Sequence, residues 1–333
     1  MSMKYRTSRT AVSWIVGAAM ALAAAQAWAL EQIKLLMPEP HGHTFRAIYT
    51  GIEKGWFKEE GIEIAFLPIP GGAVNLIPQL AQGAGDIAWA GGYTVIQARA
   101  RGVPVVGINS ASAESLWSLI GHKDANIRKP ADLKGKTVGV VAFSSATHFM
   151  MQALLKAGGL TEGDVNIRPV GLGGPALISQ RQIDAYIWFR SQAMALQAKG
   201  APVTVMDLDP HIPLPQDLML ATESNIEKRR EALRGYLRVL SRVEVFGRDP
   251  NNEAEMDQHQ AKYAPQTVQD VTFLRALSQE VRERGARDRA KDWRWGATDP
   301  ARLAAAQDLL YELKVIDRKT PIEKMYTNDL LPK

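Results

Sequence analysis

The chain has 333 residues, 46% of them apolar, with 40 basic against 35 acidic side chains and no cysteine. Its length allows one large or two medium domains with a sizeable buried core. The missing cysteines exclude disulfides, thiolate metal sites and thiol nucleophiles, and a charge balance this close to neutral gives no electrostatic case for nucleic acid.

Three of the five net positive charges, Lys4, Arg6 and Arg9, precede an apolar run from Ala11 to Ala25 that closes on Ala27-Trp28-Ala29. About fifteen apolar residues are too few to span a bilayer comfortably, and small residues at 27 and 29 suit signal peptidase. Residues 1–29 therefore read as a cleavable secretory signal, which places the mature chain outside the cytoplasm.

From there the pattern alternates strand and helix. Ile33 to Met37 reads as a buried strand, Thr44 to Lys54 as a helix ended by Gly55, and Ile62 to Leu67 as a strand. Val74 to Gln82 reads as a helix, Asp86 to Trp89 as a strand followed by Gly91 and Gly92, Thr94 to Arg101 as a helix and Val103 to Ile108 as a strand. The pattern shifts at Leu116 to Ile120, an apolar strand before a charged loop, and we place the crossing into a second lobe there. Strands at Thr137 to Phe143, Val165 to Val170 and Val203 to Met206 follow, with a helix at His148 to Ala157. A proline-rich stretch leads to the return crossing at Leu218 to Ala221. Lobe 1 is thus expected over 30–117 and 218–333, and lobe 2 over 118–217.

Two segments about a hundred residues apart repeat: Gly71-Gly72-Ala73 running to Asp86-Ile87-Ala88-Trp89, and Gly173-Gly174-Pro175 running to Asp184-Ala185-Tyr186-Ile187-Trp188. Each reads as a glycine turn after a strand, a short helix, and an Asp opening the next strand. This is the grammar of a parallel α/β sheet, in which ligands bind outside the carboxyl ends of the strands. After Ala221 the chain becomes helical. Ser224 to Glu227 forms an expected capping box, Leu233, Leu237, Leu240 and Val243 make one apolar face, and further helices are expected at Gln266 to Arg284 and Pro300 to Leu313. The mixed charges of Arg282 to Arg289 read as a solvated face.

Glu53-Lys54-Gly55-Trp56-Phe57-Lys58-Glu59-Glu60-Gly61, Gly83-Ala84-Gly85-Asp86-Ile87-Ala88, Ala100-Arg101-Gly102-Val103-Pro104, Ile127 to Val140 and Tyr326 to Leu331 together resemble the nitrate, sulfonate, taurine and thiamine-pyrimidine group of periplasmic solute-binding proteins. The resemblance covers nearly the whole mature chain. It implies an α/β, two-lobed binding-protein fold of the second topological type, with mixed sheets flanked by helices and a two-strand hinge. It also implies delivery of a small-molecule solute to the membrane permease of an ABC importer, and we expect a monomer. A thiamine-pyrimidine synthase and a desulfinase share that fold, but their chemistry depends on cysteine. No paired carboxylates or Ser-His-Asp arrangement is readable from spacing, so no catalytic residue is assigned.

The expected solute contacts lie at the strand ends. Phe143-Ser144-Ser145-Ala146-Thr147 joins a strand to a helix, so hydroxyls and free amides converge on one acceptor group, although Ser144 or Ser145 also suits a simple cap. In similar proteins a serine at this turn touches the ligand. His41 and His43 occupy the matching turn of lobe 1; as a bare His-x-His pair they point to hydrogen bonding rather than metal, and no metal or cofactor is expected. Gly72, Gly91, Gly92, Gly173 and Gly174 allow close backbone approach. We assign Trp89 to the core and Trp188 to the cleft. Arg190, directly after Trp188-Phe189, suits a carboxylate or sulfonate, or else a salt bridge. The solute expected is therefore anionic, with a neutral heteroaromatic vitamin precursor as the alternative.

Overall fold

The structure, a computed structural model, describes residues 30–39, 45–70, 73–143 and 145–333. The expected signal segment lies outside the described residues, as do His41, His43, Gly72 and Ser144. No helix among the described residues is long and apolar enough to cross a membrane.

Strands are numbered along the chain. In the first sheet β1 (Glu31–Glu39), β2 (Ile62–Pro70), β3 (Ile87–Gly91) and β4 (Val105–Ser110) are joined by β10 (Asp217–Thr222), in the order β2-β1-β3-β10-β4. The second holds β5 (Trp117–His122), β6 (Thr137–Val140), β7 (Asn166–Pro169), β8 (Ala185–Phe189) and β9 (Val203–Asp207), in the order β7-β6-β8-β5-β9. Each sheet carries one strand antiparallel to both neighbours: β10 between β3 and β4, and β5 between β8 and β9. The stretches expected at the crossings, 116–120 and 218–221, mostly form these two strands, and the chain passes between the sheets through 111–116 and 208–216. Both β10 and β4 are buried along their whole length, which is why their sequences read as apolar runs without alternation.

The internal repeat has a structural counterpart. In the first sheet the Asp86 carboxylate accepts from Lys34 N at 2.7 Å and Asp86 N donates to Lys34 O at 2.7 Å. In the second, Asp184 accepts from Thr137 N at 2.7 Å and donates to Thr137 O at 2.8 Å. Each Asp thus ties the residue before its own strand to a neighbouring parallel strand, at Lys34 within β1 and at Thr137, the first residue of β6, its side chain and its amide each taking one backbone group.

Seven of the helices carry the argument and are numbered among themselves in chain order. Helix α1 (Arg46–Glu53), α2 (Gly92–Ala100) and α3 (Arg190–Ala198) flank the sheets. Helix α4 (Arg230–Gly247) buries Leu233, Tyr236, Leu237, Leu240 and Val243 at helical spacing. Then come α5 (Glu253–Tyr263), α6 (Val271–Ala290) and α7 (Pro300–Glu312), the last capped by Asp299, whose carboxylate accepts from Ala301 N at 2.8 Å. Two expectations are corrected. The Ser224-to-Glu227 box is not the cap: Thr222 is, its hydroxyl accepting from Asn225 N at 3.1 Å, so a short helix (Glu223–Lys228) starts at the strand's end. The helix expected over 266–284 runs over 271–290, with Asp270 capping Phe273 N at 3.0 Å. It packs on α3 of the second sheet.

Candidate functional site

A cavity of about 490 Å³ lies between the two sheets, within the range that holds a small organic ligand. The first sheet contributes Trp89, Asn109, Asp217 and Met219. Register explains their convergence: Met219 pairs with Trp89 on one side and with Asn109 on the other, and Asp217 lies two residues before it on the same face. The second sheet contributes Trp188 and Phe189, followed by Arg190 at the start of α3, with Trp117 packed behind them, its ring centroid 4.3 Å from that of Phe189. Leu240, Val243 and Glu244 of α4 and Phe273, Leu277, Ser278, Val281 and Arg284 of α6 complete the wall. A smaller recess of about 180 Å³ adjoins it beside Gly139, Gly171, Gly174 and Tyr186, and Trp188 and Gln192 line both.

Trp188 therefore faces the cavity, and so does Trp89, which the sequence had placed in the core. Both follow the pinning Asp of their sheet, so the repeat delivers two indoles to one space. Arg190 lines the cavity at the first turn of α3, but its Nη1 donates to both oxygens of Asp207 at 2.9 and 2.8 Å. Asp207 in turn accepts from the Ser118 hydroxyl at 2.9 Å. Ser145 and Thr147 satisfy their own turn: Ser145 Oγ donates to Ala142 O at 2.6 Å and lies 2.8 Å from Thr147 Oγ1, which accepts from Val141 N at 2.9 Å. Neither lines the large cavity. Gly92 answers to the chain rather than to a ligand, since a Cβ there would sit 2.2 Å from Gln216 O, in the returning segment. At Gly91 a Cβ would meet the Tyr93 ring at 2.3 Å, and at Gly174 the Tyr186 ring at 2.6 Å; Gly173 is exposed.

Sequence reasoning missed two contributors. The first is Asp217. It is 7% exposed, and among the described residues nothing hydrogen-bonds its carboxyl; burial pushes that carboxyl up to about 7 against the pull of the Arg284 cation. The only signal was an acid at the head of Leu218-Met219-Leu220-Ala221, and the expected strand began one residue after it. The second is α6, whose Arg282-to-Arg289 stretch was read as solvated. Arg289 is indeed exposed, but Arg282, Arg284 and Arg289 also line the cavity, and Glu280 and Asp288 are buried. Arg284 pairs with Glu280 at 2.9 Å, and Arg282 with Glu253 at 2.6 Å. Burial alone would raise the Glu253 carboxyl, but bonds from Arg275 and Arg282 hold it below the usual carboxylate range. Arg46 ties α6 to α5 by donating to Ser278 Oγ at 2.9 Å while pairing with Asp257 at 2.7 Å. No three His, Asp or Glu side chains among the described residues gather to hold a metal.

The sequence profile of the family described as NMT1/THI5 like matches residues 43–246. A riboflavin-binding protein of Chloroflexus aurantiacus is 20% identical over 312 residues, covering 91% of this chain and 87% of that protein. A formylaminopyrimidine-binding protein of Halalkalibacterium halodurans is 27% identical over 216 residues, 63% of this chain and 64% of that one. Among solved structures, the periplasmic aliphatic sulphonate binding protein of Escherichia coli superposes with a TM-score of 0.68 at 18% identity, covering 91% of this chain and 94% of that one. At that identity the likeness carries the fold, a periplasmic binding-protein fold of two mixed sheets. Helix α6 lies beyond the matched stretch of the family profile.

Proposed function

This chain belongs to the NMT1/THI5-like family, and from that premise we propose that it is the solute-binding component of an ABC importer, not an enzyme. It works outside the cytoplasm as a monomer, captures a small organic solute between its lobes and hands it to a membrane permease. Residues 30–117 and 218–333 form one lobe and 118–217 the other. One observation carries the reading: the two repeated strands place Trp89 and Trp188 on a single cavity between the sheets. Two indoles on one space suit a planar ring, which gains both buried apolar area and the geometry of stacking.

The anionic solute expected from Arg190 draws less support, because that guanidinium donates to both oxygens of Asp207, although its Nε is buried with no partner among the described residues. A sulfonate or carboxylate would have to compete with Asp207 for it. The cavity favours the alternative, a neutral heteroaromatic solute of the vitamin-precursor kind. Mass spectrometry of molecules released on denaturing the freshly purified protein tests this reading. An aromatic heterocycle, absent from Trp188→Ala prepared in parallel, is the expected result. An aliphatic sulfonate retained equally by both proteins, or conversion of the bound molecule to a product, would overturn it.

A further inference from the structure

We propose that Asp217 reads the solute, its carboxyl taking a hydrogen bond from an N–H-bearing ring substituent of a planar molecule lying against Trp89 and Trp188. This rests on the cavity being the solute site and adds the chemical class that the site selects. A carboxyl buried to 7% exposure with no hydrogen-bond partner among the described residues is costly, and native structures seldom leave one without a reason. This one heads the antiparallel strand beside the returning segment, on the same sheet face as Met219, Asn109 and Trp89. Its backbone carbonyl accepts from Ala111 N at 3.0 Å, and the space beside its side chain is the cavity.

The surrounding charges leave it available. Arg284, the cation that acts on Asp217 across the cavity, is hydrogen-bonded to Glu280 at 2.9 Å. Tyr93 of α2 also feels the Asp217 charge, and Glu244 of α4 adds a further acid to the wall. With Arg190 engaged by Asp207 and Arg284 by Glu280, a donor nitrogen on the solute meets an unengaged acceptor beside Asp217, whereas an anion there meets an acid; Arg289, which also lines the cavity, is exposed to solvent. Burial makes such a contact selective, because a solute lacking the donor leaves the carboxyl unpaired.

Three planar probes of one size and different charge test the proposal: benzamidine, benzamide and benzoate, titrated at pH 8 with tryptophan fluorescence and ligand-observed NMR. The expected order of affinity is benzamidine, then benzamide, then benzoate, with at least a tenfold span between the ends. In Asp217→Asn the span should shrink to about twofold. Wild-type protein that binds benzoate as tightly as benzamidine overturns the proposal while leaving the cavity as the solute site, and so does an unaltered span in the variant. Binding of none of the three at 10 mM removes both. The wild-type order decides alone should the variant not fold.

Discussion

Replacing Asp217 by Asn isolates a buried carboxyl whose cost depends on pH. Its ordinary value is 3.8, and burial pushes it up to about 7 in the folded protein. The folded state therefore holds the proton more tightly than the unfolded chain. That contribution to stability is complete below about pH 4 and is lost as the pH climbs through about 7. Roughly three pH units at 1.36 kcal/mol each put the loss at about 4 kcal/mol between pH 4 and pH 8. An amide of the same shape carries no such dependence. Asp217→Asn should thus match the wild type near pH 3 and be about 4 kcal/mol more stable at pH 8. For a chain of this size that corresponds to about 6 °C in melting temperature. Urea unfolding at half-unit pH intervals, followed by far-UV circular dichroism, gives the two curves without ligand. The difference between them is the measurement, since every other titrating group cancels. Parallel curves would refute the reasoning and mean that the carboxyl is solvated or paired when ionised.

Three further substitutions separate the roles of residues singled out by the sequence. Gly92→Ala should destabilise the protein by about 1–3 kcal/mol, because the new Cβ would meet the backbone oxygen of Gln216 at 2.2 Å, whereas Gly91→Ala meets only the movable Tyr93 ring and should cost less; the reverse order in urea unfolding would contradict this account. Arg190→Ala should lower stability by less than about 1 kcal/mol, since the Asp207 pair is partly solvent-exposed, and should leave the benzamidine affinity of the cavity within about twofold in the same fluorescence titration.

The two-lobed α/β plan was legible because its signals are local. Alternating apolar segments, glycine turns and an Asp opening β3 in one sheet and β8 in the other recur within short windows. The hydrogen bonds of Asp86 and Asp184 show what that repeat maintains. The face of a strand is harder to read when the strand is buried on both sides. Trp89 therefore read as core although it borders the cavity, since periodicity separates inside from outside but not one interior from another. Helix α6 was opaque for a different reason. Its arginines are held by acids on another helix, Glu253 and Asp257 pairing with Arg275 and Arg282, and no pattern within the helix reveals partners some twenty residues away. The cap shifted by two residues because Thr222 is both the last strand residue and an adequate hydroxyl acceptor, a double use that strand and helix signals read separately do not show.

Helix α6 also alters how this molecule can move. In a two-lobed binding protein joined only by its crossing segments, opening is a rotation about those segments that meets little resistance. Here a twenty-residue helix lies across the gap. Its leading end is fastened to the second lobe by the Lys199–Asp270 ion pair, and its trailing end to the crossing segment, where Asp288 accepts from Ala113 N at 3.1 Å and Lys291 pairs with Glu114. Its middle is held to the first lobe through Arg46 and Ser278. Parting the lobes must therefore peel this helix from one of its seats, so the moving body has three attachments instead of two. On the function proposed above, release of the solute then waits on that detachment as well as on the swing of the crossing segments.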